Sequence, residues 1–306
     1  MAVTSPRQRS NTTGFTQIST HEQTIEKETK RESSNNITEA FKQTHFMTIS
    51  GNGRLGNQMF EFASMLGIAA RHGYTPFITP RHGLNKVFDI PESRDIRLIN
   101  SKSIGEVNAG WYDVNLEHLS HNSNWTLQGY YQSWKYFNNV KNLVKKSFKF
   151  KDSFLQYAKD VLKRFNPEKR PTVSIHIRRG DMNSGRELAR GYSVASLEYV
   201  KKAMDYFRKN ISSPIFFVVS DDRGWVTRYL KGNDVVLTGN GSPGGDMAIL
   251  ANCNHSIVST GTYGWWGAWL AGGQVIYYKN FPTPGSWLDK RYRKNDYYPP
   301  HWLGMV

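Results

Sequence analysis

From Thr172 to Tyr278 short apolar runs alternate with helix-patterned segments, and nothing else in the chain restricts the possible folds as much. Strands are expected at Thr172–Ile177, Pro214–Ser220, Val235–Thr238, His255–Ser259 and Gln274–Tyr278. Helices are expected between them at Ser196–Lys209, Gly224–Leu230, Gly245–Asn252 and Gly264–Ala271. In the first of these, Leu197, Val200, Met204 and Phe207 fall on one helical face. Val, Ile and Phe run together without polar alternation, as in strands covered on both sides. The pattern therefore predicts a parallel sheet with helices on each face.

A sparser version precedes it. His45–Ser50 reads as a strand, and Asn57–His72 as a helix with Met59, Phe62, Ala63, Leu66 and Ala70 on one face. Pro76–Thr79 reads as a second strand, residues 83–135 as irregular, and Asn138–Phe165 as helical. "NPEKRP" (Asn166–Pro171) carries two prolines among polar residues and marks a domain boundary. Residues 1–43 are rich in Ser, Thr, Asn, Gln, Glu and Lys and cannot bury enough apolar surface to offset chain entropy. The expected organisation is a disordered, stem-like tail at 1–43, an N-terminal α/β domain at 44–168, and a Rossmann-like domain at 169–306. The Pro- and Trp-rich end of that last domain, from Asn280, is expected to pack back over the body.

The chain holds 40 Lys and Arg against 25 Asp and Glu, a formal charge of +15. Such an excess suits an anionic partner: nucleic acid, anionic lipid or a phosphorylated small molecule. The densest basic stretch, Lys141 to Lys151, is interrupted by apolar residues, so it reads as one solvated helix face and not as a nucleic-acid tail. A single cysteine, Cys253, favours a reducing compartment. Six N-x-Ser/Thr sequons, at Asn11, Asn36, Asn124, Asn210, Asn240 and Asn254, favour a secretory one. The sequence shows no signal peptide and no apolar run of about 18 residues to carry it there.

Three segments carry chemistry. In the first, Gly51-x-Gly53-x-x-Gly56 lies between a strand and a helix. Such glycines let backbone approach a phosphate at a helix start. Alone the pattern is a dinucleotide fingerprint, which also wants an acidic residue about 20 positions on. The chain offers Thr79-Pro80-Arg81 there, which keeps an NADP-dependent oxidoreductase open. Arg54, Asn57 and Gln58 are not needed by a dinucleotide turn and leave another anionic ligand open, beside a merely structural turn. In the second, a strand ends in His176-x-Arg178-Arg179-Gly180-Asp181. Guanidinium forks bind phosphate oxygens bidentately. Neighbouring strand residues face opposite ways, so one Arg is expected on the ligand and the other on a carboxylate such as Asp181. The alternatives are a surface ion pair and a packed core His176. In the third, Ser259-Thr260-Gly261-Thr262 precedes a helix and offers either an anion cradle or simple N-capping. Trp265, Trp266 and Trp269, at helical spacing, are expected in the core. Asp246 and the pair Asp221-Asp222 are candidates for a purine edge or for helix caps. No Walker lysine, nucleophile elbow or metal-spaced cluster is present.

"NGRLGNQMF" (Asn52–Phe60), "HIRRGDM" (His176–Met182) and "LANCNHSIVSTGTYGWWGAWLAGG" (Leu250–Gly273) resemble, in order, the alpha-1,2-fucosyltransferases of the blood-group H/secretor type. "WTLQGYYQSWKYF" is similar to the family's segment between the first two motifs. The resemblance spans roughly Thr48 to Trp302. It implies a GT-B-type α/β fold, with two Rossmann-like, doubly wound domains facing a cleft. It also implies inverting transfer of fucose from GDP-fucose to the 2-hydroxyl of a terminal β-galactose, with no metal or other cofactor and no nucleic-acid partner. By residue, Arg178 or Arg179 would bind the β-phosphate and His176 would shape the nucleotide site. Gly53, Arg54 and Asn57 would lie beside fucose and phosphates, Ser259, Thr260 and Thr262 would cradle the diphosphate, and Asp246 would meet guanine. Asp181 is the expected base, with Glu61 as rival and the departing phosphate as a third acceptor of the proton. A catalytically inactive glycan- or nucleotide-binding module is the remaining alternative. Animal members are type II Golgi proteins, so the expectation is the Golgi lumen, with an anchor missing from this sequence. Asn36, Asn124, Asn210 and Asn254 are the glycosylation candidates.

Overall fold

Two parallel sheets carry the chain. In the computed structural model, residues 45–96, 100–120, 122–239 and 241–306 are described. The expected tail at 1–43 lies outside them, as do the sequons at Asn11, Asn36 and Asn240. The first sheet is built from β1 (Phe46–Ile49), β2 (Thr75–Pro76), β3 (Ser101–Gly105) and β4 (Asn124–Gln128), in the order β2-β1-β4-β3. Between β1 and β2 runs the helix α1 (Leu55–His72). The segment 83–135, expected to be irregular, supplies two of the four strands. β3 reads SKSIG and β4 NWTLQ, and only Leu127 among their residues is buried. An apolar-run criterion cannot see strands so polar; their backbone pairing with β1 and with each other defines them.

The stretch expected as one helix at Asn138–Phe165 is two, α2 (Lys141–Ser147) and α3 (Asp152–Phe165). Between them Phe148 and Phe150 are buried, and Phe150 bridges to Phe88. Two aromatics two residues apart can both face one core only if the backbone extends there.

The second sheet contains β5 (Thr172–Ile177), then α4 (Gly185–Arg190), α5 (Leu197–Asn210), β6 (Ile215–Ser220), α6 (Arg223–Tyr229), β7 (Val235–Leu237) and α7 (Pro243–Ala251). It is completed by β8 (His255–Val258), α8 (Thr262–Ala271), β9 (Val275–Tyr278), α9 (Lys294–Tyr297) and β10 (Leu303–Met305). The order is β10-β9-β8-β5-β6-β7, all parallel. Every residue of β5 is buried, including Thr172, Ser174 and His176, which alternate with Val173, Ile175 and Ile177: both faces of this central strand are covered. From β5 the chain builds outward to β7, then returns to lay β8 on the other side of β5. In open α/β sheets ligands bind at such a reversal, beyond the carboxyl ends of the strands.

The sequence boundary at Asn166–Pro171 falls in the connector between the sheets. The two halves meet through helices, α1 against α8. Trp265 and Trp266 are fully buried and Trp269 is 8% exposed, in the core as expected. Phe60 of α1 lies 4.5 Å from the Trp265 ring and 5.1 Å from that of Trp266, and Phe137 stacks on Trp266 at 5.5 Å. Each such ring removes roughly 150–250 Å² from water, so this cluster dominates the joint. The C-terminal segment returns as expected. Asp296 is buried and accepts from Lys135 Nζ (2.5 Å) and from the Tyr112 N–H (3.0 Å), and β10 pairs with β9. Both sheets belong to one compact unit.

Among the described sequons, Asn124 Oδ1 accepts the Phe46 N–H (2.9 Å), and Asn254 Oδ1 accepts both the N–H and the hydroxyl of Thr172 (2.9 Å each). Asn210 is exposed at the end of α5. No helix among the described residues is long and apolar enough to cross a membrane.

Candidate active site

Loops leaving the carboxyl ends of β5 and β8 face the glycine loop after β1 across a cavity of about 410 Å³. Gly53, Arg54, Asn57, Arg178, Asp181 and Thr262 all line it, with Gly261. Two helices start there, α1 and α8. Neither has a capping side chain, and neither carries an acidic residue in its first turn. Elsewhere in the second half the starts of α4, α5, α6 and α7 are capped by Ser184, Ser196, Asp222 and Ser242. The first N–H groups of a helix need acceptors, and uncapped ones at a concave surface are available to an anion.

The third glycine of the motif explains how the two helix starts meet. A Cβ on Gly56 would lie 2.7 Å from the Thr262 carbonyl carbon, the Thr262 Oγ1 and the Tyr263 nitrogen. Gly53 has φ +71°, the left-handed region, and a Cβ there would lie 2.5 Å from Asn57 Nδ2. The Thr262 hydroxyl donates to Asn57 Oδ1 at 2.8 Å, so it ties the halves together and does not cap its own helix. Gln132 Nε2 donates to the same oxygen at 3.1 Å, and Tyr292 donates to Gln132 Oε1. A hydrogen-bonded chain thus crosses the cavity floor from α8 to the C-terminal segment.

The two arginines part company. Arg178 faces the cavity and binds Asp181 with a fork, NH2 at 2.7 Å from Oδ2 and Nε at 3.2 Å from Oδ1. Arg54 NH1 lies 3.6 Å from the same carboxylate. Arg179 turns away: its guanidinium sits 4.4 Å from the centre of the Trp225 ring, with Nε 3.3 Å from Asp222. Partial burial acts to raise the Asp181 carboxyl. The Arg178 guanidinium, with Arg54 behind it, outweighs that and holds the group below the usual carboxylate range. The Asp181 side chain is 48% exposed, and so open a pair contributes about 0–1 kcal/mol. Arg178 can therefore exchange carboxylate for phosphate at little cost.

Ser259, Thr260 and His176 are buried and do not line the cavity. Ser259 Oγ accepts the Arg178 N–H at 2.9 Å and so fixes the arginine's backbone. The His176 ring packs against Tyr263 at 5.5 Å. Burial, and then the charge of Arg178, pushes it down to about 3, so it is a neutral packing group. Its Nδ1 and the Thr260 Oγ1 are buried without a hydrogen-bond partner among the described residues. Asp246 is buried, and its Oδ2 accepts the Gly241 N–H at 3.3 Å. Asp221 accepts the Arg179 N–H at 2.8 Å, and Asp222 caps α6.

Glu61, the rival base, has no access to the cavity. It is fully buried, and its two oxygens accept the Gly51 and Asn52 N–H groups at 2.8 Å each. It holds the glycine loop from behind. Burial pushes its carboxyl up to about 8 against the pull of those two N–H groups, and the charge of Glu106 adds to the rise. The folded state then keeps a proton that the unfolded chain releases near 4.5. That contribution is complete below pH 4.5 and is lost as pH rises through 8. Thermal melting from pH 5 to pH 9 is expected to show the wild type losing stability relative to Glu61→Gln; parallel curves would show that Glu61 does not titrate in this window.

The rest of the wall includes Tyr130 and Gln132 from the aromatic stretch and, from segments without a recognisable motif, Glu187, Arg190 and Tyr192, and Trp287, Arg291 and Tyr292 of the C-terminal segment. Four guanidiniums against two carboxylates leave the lining with two excess positive charges.

Paired parallel sheets with an anion-seeking cavity between their halves define a GT-B protein. The chain belongs to glycosyl transferase family 11, whose model matches residues 15–306. It is 32% identical over 274 residues to galactoside 2-alpha-L-fucosyltransferase SEC1 of Bos taurus, covering 85% of this chain and 73% of the relative. It is 33% identical over 276 residues to galactoside alpha-(1,2)-fucosyltransferase 1 of Rattus norvegicus, covering 84% and 72%. Fucosyltransferase NodZ from Bradyrhizobium shares the fold at 15% identity, with a TM-score of 0.54 over 78% of this chain and 98% of NodZ.

Proposed function

We propose that the protein is a galactoside 2-alpha-L-fucosyltransferase that uses GDP-fucose and inverts the anomeric centre. One observation carries the geometric side of this: two uncapped helix starts and the Arg178 fork converge on one cavity. Family membership and the galactoside relatives support the substrates. The sheet and helices of residues 169–279 take the donor, and residues 44–168 form the acceptor side, with the C-terminal segment from Asn280 completing the cavity wall. The bond from fucose C1 to the diphosphate breaks, and its electron pair leaves on the phosphate oxygen. Arg178 and the N–H groups of α8 meet that developing charge. The galactose 2-hydroxyl oxygen forms the new bond to C1 from the opposite face and gives up its proton. Of the two carboxylates considered as base, Asp181 lines the cavity and Glu61 does not. We place the reaction in the Golgi lumen, in keeping with the sequons.

The NADP alternative loses its support. Arg81 is exposed and does not line the cavity, and Gly56 is occupied by the contact with α8. Calorimetry with GDP and NADP, and labelled fucose transfer to a lactose-type acceptor with analysis of the product linkage, test the assignment. GDP binding without NADP heat and an α1,2 product are expected; binding without transfer would leave a nucleotide-binding module. Asp181→Asn is expected to lower turnover about 10²–10⁴-fold with little change in melting temperature, whereas Glu61→Gln, which sets an amide NH2 against one of the two loop N–H groups, should lower melting temperature along with turnover. A loss below threefold in Asp181→Asn would leave the proton to the departing diphosphate.

A further inference from the structure

The cavity wall beyond β9 is built by residues that no motif marks. After β9 the chain runs beside α4: the Thr283 N–H donates to the Gly191 carbonyl (2.9 Å) and the Leu288 N–H to that of Arg190 (3.0 Å). This pairing sets Trp287 and Arg291 on the cavity. Trp287 is 46% exposed, a large apolar ring open to solvent at the rim of the site. The Arg291 guanidinium lies 3.9 Å from the indole centre, and that of Arg190 lies 5.0 Å from it.

The guanidiniums on the cavity differ in their partners. Arg54 and Arg178 share Asp181, and Arg190 is held by Glu187. Arg291 has no carboxylate within ion-pair distance among the described residues. One of its nitrogens donates to the Trp287 carbonyl at 3.1 Å. The others are left for a ligand, on a group whose central carbon lies 3.9 Å from the indole centre.

We propose that Trp287 and Arg291 bind the acceptor saccharide. The indole packs against the C–H face of a pyranose ring, and Arg291 donates to its hydroxyl or ring oxygens. This rests on the fucosyltransferase reading above. Strand order favours acceptor over donor. The anion cradle sits over β5 and β8, with β6 and β7 on one side of it and β9 on the other. A nucleotide whose diphosphate lies at the reversal, with its nucleoside over the ends of β6 and β7, leaves the wall after β9 to the second substrate. A pyranose offers an apolar face and a girdle of hydroxyls, which an aromatic ring with a fixed guanidinium matches.

The test uses Trp287→Ala, Arg291→Ala and the conservative Trp287→Phe. Acceptor KM, donor KM and GDP affinity are measured, together with direct binding of a lactose-type saccharide by ligand-observed NMR in the presence of GDP. Each alanine variant is expected to weaken saccharide binding and raise acceptor KM about 10–100-fold. Donor KM and GDP affinity should stay within about twofold, and Trp287→Phe should recover most of the loss. Unchanged saccharide binding in Arg291→Ala would overturn the proposal. So would a parallel rise in donor KM, which would give this wall to the nucleotide. If the wild type binds saccharide through these residues but transfers no fucose, the proposal stands and the fucosyltransferase reading falls.

Discussion

Arg178→Ala is expected to lower kcat/KM for fucosyl transfer about 10²–10³-fold, the loss typical when one preorganised donor is removed from a developing oxyanion. Arg178 has the required geometry: it lines the cavity, its backbone is fixed by Ser259, and its fork is held by a half-exposed carboxylate it can release. Arg178→Lys keeps the charge and loses the fork, and should fall between the wild type and the alanine variant. Arg179→Ala removes a guanidinium from the Trp225 face and from Asp222, contacts contributing about 0.5–2 kcal/mol to the loop. Its effect should be seen in melting temperature more than in turnover, with kcat/KM reduced less than about tenfold. Steady-state kinetics with GDP-fucose and a galactoside, with GDP affinity from calorimetry, compare the two. Equal losses of kcat/KM would mean that the diphosphate lies on the Arg179 side of the loop.

Much of this site is legible in the amino-acid sequence, because its chemistry sits in local motifs. The glycine loop, the arginine pair and the Ser-Thr-Gly-Thr segment each announce a helix start or strand end, and the α/β rule brings such ends together. Which of Arg178 and Arg179 faces inward is not legible. Alternation separates the two but does not say which side is the cavity, and the stack on Trp225 decides it. Glu61 is legible as a carboxylate near the loop but not as its anchor, since its bonds to Gly51 and Asn52 depend on how the loop folds back over α1. β3 and β4 escape a pattern search because their residues are polar and their order comes from pairing with a strand far away in sequence. The wall around Trp287 escapes it for a related reason: only the fold returns the C-terminal segment to α4.

Gly56→Ala separates the two physical roles a motif glycine can have. On helix propensity alone the change should stabilise α1, by about 0.5–1 kcal/mol. The neighbour opposes it. The new methyl would lie 2.7 Å from backbone atoms of Thr262 and Tyr263, at the start of a second helix packed by buried tryptophans, and neither can rotate out of the way. Overpacking of that kind costs about 1–3 kcal/mol, so the contact outweighs the propensity. The melting temperature is expected to fall by roughly 2–6 °C. The functional loss should exceed the loss of stability. The displaced helix starts would break the 2.8 Å bond from Thr262 to Asn57 and move both anion-binding ends away from Arg178, and a displacement of about 1 Å at a reacting site can cost about 10²-fold in rate. Gly185→Ala is the control: it sits at the first position of α4, where a Cβ meets nothing within 4 Å, and should leave both stability and rate nearly unchanged. A Gly56→Ala protein that melts at or above the wild-type temperature and transfers fucose at the wild-type rate would show that the approach of α1 to α8 does not set the geometry of the site.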